Sequence, residues 1–112
     1  MTSPLRLLLV DDDAMQLELV ERALSRDGFD VRGASSLHAV AQLAAELRPE
    51  LVLVDVNMPE APLAQVVAAV REAAPTARVI LYSAWEEAKL MKLAGELAAD
   101  GYVSKSESVF AL

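Results

Sequence analysis

The sequence predicts an α/β protein, a doubly wound sheet of five parallel strands. Three observations predict it. The apolar runs at residues 5–10, 51–54 and 78–82 are nearly continuous, the pattern of strands covered on both faces. Two further runs, 29–34 and 101–104, are alternating or short and suit the two edges. Between the five runs lie four stretches long enough for crossover helices, so β and α alternate along the chain and the crossovers should be right-handed. With 112 residues, 54% of them apolar, the chain has the size of one domain, spanning 1–112, and can bury a core.

The elements follow in order. The first strand, 5–10, runs straight into Asp11, Asp12 and Asp13. Burying unpaired carboxylates is costly, so something there should offset the charge. A first helix over 15–26 puts Leu17, Val20, Ala23 and Leu24 on one face, with Asp13 as its cap and Gly28 as its stop. The second strand, 29–34, alternates as an edge strand does. Ser35 and Ser36 are candidate caps for a helix over 37–47, which Pro49 closes. The third strand, 51–54, leads into Asp55. Pro62 at the first position and Pro75 just past the end frame a helix over 63–74. The fourth strand, 78–82, leads to Ser83, and the helix over 86–98 carries Gly95 as an internal weakness. The fifth strand, 101–104, ends at Lys105. Residues 106–112 leave room for a truncated fifth helix of barely two turns.

Ligands of open parallel sheets bind at the carboxyl ends of the strands, near the point where the strand order reverses. At that edge this sequence sets Asp11 and Asp12, then Asp55, Ser83 and Lys105. Three carboxylates in one crevice call for a hard divalent cation with oxygen ligands, and Mg²⁺ suits a site that also admits a phosphate oxygen. Three aspartates, one Mg²⁺ and one lysine sum to zero charge. A carboxylate, a metal, a hydroxyl and an amine are together the parts of a phosphoryl-transfer site. Asp55 suits the nucleophile, forming an acyl phosphate.

Composition narrows the classes. No cysteine means no disulfide and no thiolate metal site. No apolar run approaches a membrane span, and residues 1–4 do not make a basic leader, so the expected location is the cytoplasm. The net charge is −7 with scattered Lys and Arg, which argues against direct binding of nucleic acid or an anionic membrane.

On these residues the chain resembles the receiver domains of bacterial two-component response regulators, which implies a flavodoxin-like sheet with the strand order 2-1-3-4-5. "LLLVDDD" resembles the first strand with its acidic pair, Asp11 and Asp12, the second of which binds Mg²⁺ directly and the first through water. "LVLVDVNMP" resembles the acceptor segment, which implies phosphorylation of Asp55 and a metal contact from the backbone carbonyl of Asn57. "VILYSAW" matches the hydroxyl position at Ser83 and a small residue, Ala84, whose N–H would hold a phosphoryl oxygen. "DGYVSK" matches a switch aromatic at Tyr102 and a phosphate-gripping lysine at Lys105. The chain departs from the family pattern where "MPEAPLA" lacks the usual glycine and where Ser106 replaces the usual proline after the lysine.

The resemblance implies a phosphoacceptor module, not a classical enzyme, which catalyses only its own phosphorylation and dephosphorylation. Its partners would be a sensor histidine kinase or phosphotransfer protein and a downstream effector domain. The chain would be the N-terminal part of a longer regulator, or a homodimer would cover its edge. Phosphorylation would change partner affinity at the face made by the fourth helix, fifth strand and fifth helix. Two alternatives stand beside this. One is a phosphatase similar to the haloacid dehalogenases, using the Asp-x-Asp spacing of Asp11 and Asp13, although it leaves Asp55 unexplained. The other is a receiver-like interaction module that is never phosphorylated. Plainer structural roles are expected for Asp13 as a cap, Trp85 as cover for the fourth helix and His38 as a surface residue. Tyr102 is as readily simple edge packing as a switch.

Overall fold

The structure is a computed structural model and describes residues 4–58 and 61–104. Its strands are β1 (Arg6–Val10), β2 (Asp30–Ala34), β3 (Leu51–Asp55), β4 (Arg78–Ser83) and β5 (Gly101–Ser104). Between them run α1 (Ala14–Arg26), α2 (Leu37–Leu47), α3 (Leu63–Ala73) and α4 (Glu87–Glu96). All neighbouring strands are parallel, as the apolar runs predict, in the order β2-β1-β3-β4-β5 that the resemblance implies. Lys105 and residues 106–112, with the expected fifth helix, lie outside the described residues.

The uninterrupted apolar runs are explained by two cores, one on each face. Successive side chains of a strand point to opposite faces. Leu8, Val10, Val52 and Val54 therefore join Val40 of α2, Val66 and Val70 of α3 and Leu90 of α4 in one cluster. Leu7, Leu9, Leu53 and Tyr82 join Leu17, Val20 and Leu24 of α1 in the other. Register aligns the carboxyl ends: Val10 lies beside Val54, Asp55 beside Tyr82 and Ser83 beside Ser104. The residues that follow β1 and end β3 and β4 are thus delivered to one edge, where the order reverses between β1 and β3.

The caps are those expected of the residue types. Asp13 accepts from the backbone N–H groups of Met15 and Gln16 at 3.0 and 3.2 Å, and Ser36 accepts from that of Ala39 at 3.1 Å. Gly28, at φ +93°, takes the left-handed turn that ends α1. Most element ends fall within one residue of expectation, and two differences stand out. Pro62 stands just before α3 rather than at its first position. The fourth helix stops at Glu96, not Ala98, because Ala98 turns into the left-handed region at φ 53°. No glycine marks that turn; Arg71 of α3 fixes it by donating to the Ala98 carbonyl at 2.6 Å. Among the described residues, no helix is long and apolar enough to cross a membrane.

Candidate metal centre

Asp11, Asp12 and Asp55 each offer a carboxylate oxygen, and these three atoms lie within 4.8 Å of one another. Asp11 is 0% and Asp55 5% exposed, whereas Asp12 reaches solvent. Asp11 follows β1 directly, and its backbone N–H donates to the Ala34 carbonyl at the end of β2, 3.1 Å away. Asp55 is the last residue of β3, between β1 and β4. Each buried carboxylate also turns the chain away from its strand. Oδ1 of Asp11 accepts from the Asp13 N–H at 3.0 Å, and Oδ1 of Asp55 accepts from the Asn57 N–H at 3.1 Å. These are the local side-chain turns that Asp readily makes.

The donor set is all oxygen, mostly carboxylate, and two of its members are nearly sealed from water. Such a set suits a hard divalent cation and not a soft one. The residues present therefore fit a hard divalent cation, the class to which the expected Mg²⁺ belongs. Asp13 is not among the three, because both of its side-chain contacts serve α1. Asn57 lies exposed two residues beyond Asp55.

Ser83 is buried at the end of β4, and its hydroxyl oxygen accepts from the Trp85 N–H at 3.2 Å. The Trp85 carbonyl in turn accepts from the Ser104 hydroxyl at 3.0 Å, which ties the loop after β4 to the end of β5. Ala84, between them, is exposed. The Trp85 ring packs on the larger core and lies 5.1 Å from the Lys89 ammonium. It covers the start of α4, the simple role expected for it. Tyr102 is half-buried against the same core, with its hydroxyl 3.3 Å from Glu87 Oε1. His38 is exposed in the first turn of α2, and no contact joins it to the acidic cluster among the described residues.

Tyr82 is the residue that sequence reasoning missed. Its ring belongs to the smaller core, it is 0% exposed, and its hydroxyl donates to Asp11 Oδ2 at 2.5 Å. Burial, then the hydrogen bond to Asp11, then the negative charge of Asp11, Asp55 and Asp13 hold its ionisation far above the usual tyrosine range. The phenol therefore stays a proton donor. The available signal was a single polar-tipped aromatic at the end of an otherwise aliphatic strand. A buried tyrosine hydroxyl almost always needs a partner.

The chain matches the model of the response regulator receiver domain over residues 7–112. It is 36% identical over 104 residues to the transcriptional regulatory protein PrrA of Mycobacterium tuberculosis, covering 93% of this chain and 44% of PrrA. The chain thus spans less than half the length of that relative. A LuxR-family two-component response regulator from Aurantimonas superposes with a TM-score of 0.79 at 27% identity, covering 97% of this chain and 79% of the other. A response regulator from Burkholderia pseudomallei, solved with a phosphorylated aspartic acid, a calcium ion and citrate, superposes with a TM-score of 0.80. It is 23% identical and covers 96% of this chain and 63% of its own, a likeness of fold.

Proposed function

We propose, given that this chain belongs to the response regulator receiver domains, that it accepts a phosphoryl group on Asp55. The observation that carries this reading is the place of Asp55. It is buried at the end of β3, in one cluster with Asp11 and Asp12, and on the strand next to the one that ends in Ser83.

A carboxylate oxygen of Asp55 attacks the phosphorus of a phosphohistidine. An O–P bond forms as the P–N bond breaks, and the imidazole leaves with the electron pair and takes up a proton. The donor is a sensor histidine kinase or a phosphotransfer protein. Asp11, Asp12, Asp55 and the backbone carbonyl of Asn57 would hold Mg²⁺, which would supply positive charge against the carboxylates and the incoming phosphoryl group. Lys105 adds a point charge on the phosphoryl oxygens, and the Ala84 N–H and the Ser83 hydroxyl add hydrogen bonds. The domain catalyses only its own phosphorylation and dephosphorylation. It acts in the cytoplasm, as the receiver of a longer regulator with an effector domain downstream. At −7 it does not itself bind nucleic acid.

The switch follows from the contacts of Ser83. Its hydroxyl oxygen accepts from the Trp85 N–H while its own O–H can donate to a phosphoryl oxygen, so movement of Ser83 toward that group pulls on Trp85. Trp85 is tied to β5 through Ser104, so the β4–α4 loop and β5 shift together. Tyr102 leaves Glu87 and turns inward, and the α4–β5 face changes its affinity for partners. This is a shift between two populations, limited by how differently the phosphoryl group interacts with them. The phosphatase alternative loses support because Asp13, the second member of its Asp-x-Asp pair, is spent on the cap of α1.

A small phosphodonor such as acetyl phosphate tests the reading. With Mg²⁺ the wild type should gain one acid-labile phosphoryl group, and Asp55→Asn should gain none, because an amide does not attack phosphorus. A label on Asp11, or an undiminished label on Asp55→Asn, would overturn the assignment.

A further inference from the structure

We infer that Tyr82 is a positioning residue for the metal site, its hydroxyl clamping the Asp11 carboxylate in the orientation that receives a divalent cation. The inference rests on the proposed metal site and adds to it a residue from the opposite, core-facing side of the strand layer.

Three observations carry it. First, Asp11 is held on both oxygens from different parts of the chain, Oδ1 by the Asp13 N–H at 3.0 Å and Oδ2 by the Tyr82 hydroxyl at 2.5 Å. The second contact joins residues 71 apart in sequence. Second, neither residue is exposed, so bulk water does not compete for the contact between them. Third, the Tyr82 ring is fixed by β4 and by its place in the smaller core, so its oxygen has little freedom to move. A carboxylate oxygen accepts more than one hydrogen bond, so the clamp is compatible with a role beside a cation. Without it, Asp11 sits among two other carboxylates whose repulsion favours turning away from them. Partners that orient metal-site carboxylates in this way matter for affinity, and their loss typically weakens binding about 10- to 100-fold.

The placement also couples the site to β4. Tyr82 directly precedes Ser83, and its carbonyl accepts from the Val56 N–H at 3.2 Å, just after Asp55. One residue thus touches Asp11 and the acceptor segment and stands next to the switch serine on its strand. Phenylalanine keeps the ring and removes only the clamp.

The test is a double-mutant cycle on Mg²⁺ affinity, read by Trp85 fluorescence or calorimetry. Tyr82→Phe should weaken binding about tenfold or more in the wild-type background. In an Asp11→Ala background the same substitution should have no further effect, because Tyr82 acts through Asp11. A merely structural role would give losses that multiply. Equal affinity of Tyr82→Phe and wild type, or multiplying losses, overturns the clamp. A wild type that binds no Mg²⁺ overturns the metal site itself, which separates the two failures. If a variant does not fold or bind measurably, the wild type decides. Carbon-13 at the hydroxyl-bearing ring carbon gives one signal for Tyr82 and one for Tyr102, assigned by the signal that Tyr102→Phe removes. The Tyr82 signal should differ from that of free tyrosine and move when Mg²⁺ is added. A free-tyrosine position unmoved by Mg²⁺ overturns the proposal.

Discussion

Asp11, Asp12 and Asp13 stand side by side in the sequence, yet each has a different task, decided by where its side chain points. Asp11 goes down into the layer and is sealed; Asp12 stays in solvent with one oxygen in the cluster; Asp13 turns back to cap α1. The division leads to opposite outcomes for two similar substitutions. Asp13→Ala should lower stability by about 1 kcal/mol, the usual cost of losing a helix cap, with little change in Mg²⁺ affinity. Asp12→Ala should weaken Mg²⁺ binding strongly and leave metal-free stability unchanged or raised, since it removes one of three crowded like charges. Urea unfolding in chelator, together with Mg²⁺ titration, reads both effects, and equal losses of affinity in the two variants would contradict the division. The sequence makes the capping role legible, since Asp before a helix is a familiar signal. It also makes the acidic cluster legible, through strand ends that share an edge. The Tyr82–Asp11 contact is not legible, because it joins positions 71 apart through a side-chain direction that no local pattern encodes.

At the scale of elements, strand and helix identities follow from apolar runs and their punctuation, and the cores on both faces of the sheet account for the unbroken runs. The end of α4 is where that reading falls short. Local rules favour glycine at the left-handed residue past a helix end and alanine inside the helix. Here the placement is reversed: Gly95 lies within α4, and Ala98 holds φ 53°. The tertiary bond from Arg71 to the Ala98 carbonyl keeps the turn in place despite the wrong residue, and such a bond leaves no trace in local sequence. Exchanging the two, Gly95→Ala with Ala98→Gly, leaves the composition unchanged and removes both conflicts. A Cβ at residue 95 meets nothing within 4 Å, so the helix gains without a clash. The exchange should stabilise the domain by roughly 1 kcal/mol, from about 0.5–1 kcal/mol for glycine inside a helix and a comparable relief at the turn. Thermal unfolding should then move up by roughly 4–8 °C for a domain near this size. A midpoint that falls would show that the Arg71 contact needs alanine at residue 98.

For the whole molecule, the buried phenol ties global stability to alkaline pH. In the unfolded chain Tyr82 ionises near its ordinary value of about 10. In the folded protein, burial and the bond to Asp11 raise that value far beyond the usual range. Above pH ~10 the unfolded state therefore releases a proton that the folded state keeps. Stability from Tyr82 is complete below that pH and falls as pH rises beyond it, by at most about 1.4 kcal/mol per pH unit. Tyr82→Phe removes both the hydrogen bond and this titration. At pH 8 in chelator the variant should be less stable than wild type by about 1.5–3 kcal/mol, the value of a hydrogen bond to a charged group. By pH 11 the gap should narrow, because wild type alone bears the cost of keeping the phenol protonated. Urea unfolding at pH 8, 10 and 11 (approximate settings around the tyrosine range) measures the gap directly. Groups common to both proteins cancel in the difference. A gap that stays constant across this range would mean that the Tyr82 hydroxyl ionises as freely in the folded protein as in the unfolded chain, and the buried bond to Asp11 would then have no place in the fold.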